Sequence, residues 1–96
     1  MIEVRYTEGR FCPMLVCDHC GELVKRSGNM LWKADPDGTV TAGPFSVHKP
    51  CNRPFVAAHG GRAGWLWAEL STFLWQLVGN AEVDLDRGRQ WHEALP

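Results

Sequence analysis

Two short pairs of metal-ligating residues constrain this chain more than any other feature. Cys17-Asp18-His19-Cys20 holds two thiols three positions apart, and Gly21 follows. After a 27-residue spacer, His48-Lys49-Pro50-Cys51 holds an imidazole and another thiol at the same separation. That separation lets one tight turn aim two ligands at a single ion. A glycine after such a turn takes positive φ without steric cost. Three thiolates and one imidazole form a tetrahedral zinc set. Cys17, Cys20, His48 and Cys51 are therefore the expected ligands of one structural Zn2+. Asp35-Pro36-Asp37-Gly38 lies near the middle of the spacer and carries proline and glycine at the turn positions that favour them. A β-hairpin through that turn returns the second pair to the first.

Metal also answers a problem of size. Ninety-six residues predict a single domain, 1–96. Within it the zinc-binding unit, 12–59, is too small to rely on its apolar core alone. Zinc contributes ~10–16 kcal/mol of apparent binding free energy in small fingers, much of which drives folding. Other uses of the pairs fit less well. A redox C-x-x-C belongs in a βαβ setting that is not evident here. A haem-attachment motif needs histidine where Gly21 stands. The zinc-deaminase signature needs a glutamate and a further cysteine that do not accompany Pro50-Cys51. Cys12 falls outside the pair spacing and reads as a small buried hydrophobe or a substitute ligand.

The rest of the chain reads as an α+β pattern. Met1–Tyr6 alternates apolar and polar residues as a strand does, and Phe11–Val16 is its hairpin partner across a turn at 7–10. Pro13 places that second strand at an edge or delays its start. Short strands are expected at 23–25, 30–34, 39–41 and 45–47. Asn52 is expected to cap a short helix ending near His59-Gly60. Residues 65–79 are expected to form a long amphipathic helix. Its apolar arc is Leu66, Trp67, Leu70, Phe73, Leu74, Leu77 and Val78, and Gly79-Asn80 end it. An acidic tail, 81–96, follows, in which Asp84 could cap a final short helix.

The ligand order resembles the treble-clef group of zinc fingers, including the first zinc site of a LIM domain, over about residues 12–59. The resemblance implies a zinc knuckle, a β-hairpin and a second ligand pair at a helix start, with Cys17, Cys20, His48 and Cys51 as ligands. Pro54 and Ala57 occupy the positions where a LIM domain continues with cysteines, so no second zinc is implied. The long spacer and Pro54 leave a zinc-ribbon-like arrangement open. The expected fold class is small α+β: a zinc-stapled antiparallel β-unit with a short helix and a long C-terminal amphipathic helix.

Charge and aromatic content narrow the function. The formal net charge is −1, which argues against polyanion binding by the whole chain. Residues 1–64 nevertheless carry eight Lys/Arg against six Asp/Glu, whereas 65–96 carry two against five. The leading expectation is a non-enzymatic zinc module that acts through a protein partner or a homodimer, with Trp65 and Trp75 at the contact. The alternative is nucleic-acid binding by the basic half through Lys25, Arg26, Lys33, Lys49, Arg53 and Arg62, with Trp32 stacking on a base. No nucleophile, paired carboxylates or phosphate loop can be assembled, so neither an enzyme nor a small-molecule substrate is expected. No apolar run is long enough to cross a bilayer, and no leader-like pattern opens the chain, so a cytoplasmic location without membrane contact is expected.

Overall fold

A three-stranded antiparallel sheet carries the molecule, and its central strand is covered on both faces. The computed structural model describes residues 1–95. Strands β1 (Ile2–Thr7) and β2 (Arg10–Leu15) form a separate hairpin. Strands β3 (Asn29–Ala34) and β4 (Val40–Val47) flank the Asp35–Gly38 turn, and β5 (Trp65–Glu69) pairs with the other side of β3. A short 3-10 turn, Lys49–Cys51, leads from β4 into helix α1 (Asn52–Ala58). Helices α2 (Leu70–Ala81) and α3 (Leu85–Ala94) complete the chain.

The register assigns side chains to faces. Leu31, Lys33, Phe45, Val47, Trp65 and Trp67 share one face, and α1 lies over it. Phe55 of α1 is 1% exposed, and its ring centroid lies 5.1 Å from Phe45 and 5.6 Å from Trp65. His59 stacks on Phe55 at 4.1 Å and completes the aromatic cluster. On the opposite face Trp32 meets Phe73 of α2 at 6.1 Å, and Leu70 is buried. Met30 and Leu31 are consecutive yet both buried, because each face of β3 has its own cover. Fully burying a side chain of this size stabilises by ~1.5–3 kcal/mol relative to leaving it exposed.

The α+β class, the antiparallel pairing, the short helix and the C-terminal helices match the sequence reading. The expected helix over 65–79 is corrected at both ends. Residues 65–69 are the strand β5, and α2 begins at Leu70 and runs through Gly79-Asn80 to Ala81. Trp65-Leu66-Trp67-Ala68 contains no polar residue to set a period, and aromatic side chains suit strands. Pairing with β3 then outweighs local helix propensity. The helix stops where Glu82 adopts a left-handed φ of 55°. Three smaller expectations also change. Residues 23–25 contribute only an isolated bridge from Leu23 to Val16. The expected strands at 39–41 and 45–47 merge into one, β4, which starts at Val40 and has irregular register near its middle. Cys51, not Asn52, is the cap residue of α1, and the Asn52 side chain instead accepts from Asn29 at 3.2 Å. In the acidic tail, Asp84 does cap α3, accepting from the Arg87 N–H at 3.2 Å.

Gly28 shows how closely these elements approach. A Cβ there would lie 2.7 Å from Val24 Cγ1 and 2.9 Å from the Val47 carbonyl oxygen, which β4 holds in place. Gly28→Ala should destabilise the metal-loaded protein by ~1–3 kcal/mol, the usual cost of overpacking. Gly79 lies within α2 with open space around it, so Gly79→Ala should stabilise by up to ~1 kcal/mol. Urea-unfolding midpoints should move in opposite directions.

Candidate metal centre

Each ligand is delivered by backbone whose local chemistry fixes its direction. The first pair sits on a knuckle after β2. The Gly21 N–H donates to the Cys17 carbonyl at 3.0 Å, and Gly21 takes φ 79°. The Cys17 N–H donates to the Glu22 carbonyl at 2.8 Å, so the chain turns tightly around the two thiols. The second pair sits where β4 passes into α1. There the Cys51 N–H donates to the His48 carbonyl at 2.9 Å. One ligand atom from each of Cys17, Cys20, His48 and Cys51 lies within 4.8 Å of all the others. The four residues form a Cys3His group that can hold one metal ion.

His48 is oriented for that task. Its Nε2 lies 2.8 Å from the Leu23 carbonyl oxygen, which can only accept, so Nε2 carries the proton. Nδ1 is left with its lone pair directed into the cluster, 3.4 Å from Cys20 Sγ. An outer hydrogen bond of this kind fixes tautomer and ring angle together.

The thiols of the cluster differ in how readily they ionise. Burial raises the Cys17 thiol, but the backbone N–H groups of Cys20, His48 and His19 outweigh it and bring the group down to about 6. Burial and the adjacent Cys17 sulfur push the Cys51 thiol up to about 11. The Leu23 carbonyl, then Cys17, raises His48. One thiolate forms readily and then opposes the next, as like charges in one site do. A bound cation removes that opposition.

Two residues missed in the sequence clamp the ligand pairs together. Asp18, inside the knuckle, accepts the Ser46 N–H at 2.8 Å, while its own N–H donates to the Ser46 carbonyl at 2.8 Å. The Ser46 hydroxyl, 1% exposed as a residue, donates to the Val16 carbonyl at 2.8 Å. Ser46 stands two positions before His48, so these bonds set the knuckle against the second pair. An aspartate between two cysteines hints at such a role, but only the tertiary pairing identifies Ser46.

The other sequence candidates do not gather around the metal cluster. Cys12 is half-buried opposite Arg5 in the β1–β2 hairpin and lies outside it. Trp65 is half-buried in the aromatic cluster, whereas Trp75 on α2 is 78% exposed. Trp32 is half-buried, its ring 6.1 Å from that of Phe73. Lys33 lies over the Trp65 ring at 5.9 Å, and Lys49 pairs with Glu69 at 3.6 Å. Lys25 and Arg26 are exposed in the loop before β3. Arg53 and Arg62 instead line one groove between α1 and β5. No helix among the described residues is long and apolar enough to cross a membrane. Comparison with protein-family models, curated proteins and solved structures gives no match to this chain.

Asp18→Ala should lower metal affinity by roughly tenfold, because it removes a charge-assisted bond that holds the knuckle against the second ligand pair. His19 is exposed in the same knuckle, and His19→Ala should leave affinity unchanged. Titration against a chromogenic chelator measures both.

Proposed function

We propose that this chain is a non-enzymatic zinc-binding module that acts through protein contacts, including contact with a second copy of itself. The observation that carries the metal assignment is the convergence of three cysteine sulfurs and His48 Nδ1 within 4.8 Å. Sulfur-rich tetrahedral donor sets favour Zn2+ among abundant divalent ions. Four protein ligands fill a tetrahedral shell and leave no position for a reacting water, which supports a structural role over a catalytic one. The order of knuckle, hairpin and helix starting at Cys51 supports a treble-clef reading over a zinc ribbon. Free thiols suit a reducing compartment such as the cytoplasm.

Support for protein contacts comes from the surface. Trp75, Leu77, Leu85 and Trp91 are at least half exposed on the C-terminal helices. Leu74, Trp75, Val78 and Leu85 line a shared apolar depression between α2 and α3. A large exposed apolar patch of this kind marks an interaction surface. Trp75 is the most exposed of these residues.

Native mass spectrometry of the reduced protein should show one zinc per chain, and Cys51→Ala should lose it. A result with no bound metal overturns the assignment. Because Cys51 must lose its proton to bind, acidification should weaken zinc binding progressively, releasing the metal as protons reclaim the thiols. Trp75→Ala should weaken self-association in sedimentation velocity while keeping the zinc. A wild-type chain that stays monomeric at every concentration removes the second-copy contact.

A further inference from the structure

The groove that gathers Arg53 and Arg62 runs between α1 and the free edge of the sheet. It has a volume of about 660 Å3, and Leu31, Val56 and Trp65 form its apolar wall. The strand order β4-β3-β5 leaves β5 at an edge. Two hydrogen bonds fix which of its amides are unused. The Ala34 N–H donates to the Gly64 carbonyl at 2.9 Å, and the Leu70 N–H donates to the Gly28 carbonyl at 2.8 Å. These make Lys33–Trp65 and Asn29–Glu69 the non-hydrogen-bonded pairs of the antiparallel ladder. By alternation Leu66 and Ala68 bond to β3, and the N–H and C=O of Trp67 turn outward. Trp67 and Leu66 both line the groove, and the Trp67 side chain is 63% exposed. Arg53 and Arg62 are exposed, and neither forms an ion pair among the described residues. No carboxylate lines the groove, and Glu69, further along β5, is occupied by Lys49.

We propose that this groove takes an extended acidic segment of a partner protein, which adds to β5 through the Trp67 backbone and places carboxylates on Arg53 and Arg62. An unpaired edge amide supplies the main-chain bonds of strand addition, and side-chain pockets beside it supply the specificity. Guanidinium groups match carboxylates in a planar, two-bond geometry. A second copy of this chain fits the groove poorly, because pairing β5 with β5 would bring four arginines together. A single-stranded nucleic acid would use the arginines and Trp67 but not the Trp67 amide. The proposal rests on the protein-contact reading above and adds the partner's chemistry to it.

The test uses the full-length, zinc-loaded protein, with its zinc content measured first. Short peptides selected on it from a random phage-displayed library should be enriched in Asp and Glu alternating with β-branched residues. A synthetic peptide of the selected sequence should shift the backbone amide resonance of Trp67. Methylating alternate backbone nitrogens of that peptide should weaken binding about tenfold or more, since each blocks a strand-pairing bond. The protein double variant Arg53→Glu, Arg62→Glu should weaken it to a similar degree. If the double variant loses its zinc, the methylated peptide on wild-type protein decides. Selection without acidic enrichment overturns the proposal, as does a peptide indifferent to methylation. So does oligothymidylate binding more tightly than any selected peptide. Any of these results on fully zinc-loaded protein leaves the zinc-module reading standing, whereas absence of zinc defeats that reading first.

Discussion

Three thiols and an imidazole do not remain together in a small protein on their own account. Each thiolate that forms makes the next more costly, and burial together with the adjacent Cys17 sulfur pushes Cys51 up to about 11. A divalent cation held by the four ligands would turn that repulsion into attraction. The knuckle hangs from β2, while the second pair ends β4 and opens α1. Closing the cluster therefore joins the N-terminal hairpin, the main sheet and the first helix at one point. The Asp18–Ser46 bonds act beside it, holding the two backbones at the separation the ligands need.

From that point the packing follows. Helix α1 has only seven residues, too few to be stable by itself in water. Cys51 fixes its start, and Phe55 then enters the cluster formed by Phe45, Trp65 and His59. The His59 Nδ1–H donates to the Phe55 carbonyl at 2.7 Å, which satisfies a backbone acceptor at the end of the same helix. On the other face α2 needs no metal, because Leu70 and Phe73 anchor its first turn and it is twelve residues long. The β1–β2 hairpin and α3 lie outside this double cover. Ile2, Val4, Tyr6 and Phe11 on the former, and Leu85 and Trp91 on the latter, consequently remain exposed.

What the sequence revealed, and what it hid, divides by the range of the interaction. The ligand pairs were legible because a metal imposes spacing within four residues. The turn at Asp35–Gly38 and the Asp84 cap were legible because their chemistry is local. The strand at 65–69 was hidden because an unbroken apolar run fits a helical arc and a two-sided strand equally well. Only the open side of β3 decides between them. Ser46 was hidden for a similar reason: a serine in a strand has no local mark that it will meet an aspartate 28 residues earlier. Both misses are decisions made by pairing distant segments.

The strand at 65–69 also changes what the tryptophans can do. On one helix with Trp75, Trp65 and Trp67 would point to nearly opposite sides. On β5 they lie two residues apart on one face, beside α1, while Trp75 lies on a separate helix. The aromatic residues thus stand in two places: a groove beside the helix that opens at Cys51, and a patch on α2 and α3. Because the second ligand pair sets where α1 begins, a metal held by the four ligands would also fix that wall of the groove. Arg53 follows Cys51 by only two residues, so its position is tied to that ligand pair. Contacts made through the groove should therefore disappear with the metal, whereas contacts made through Trp75 need only an intact α2. That difference separates the two surfaces without altering either one.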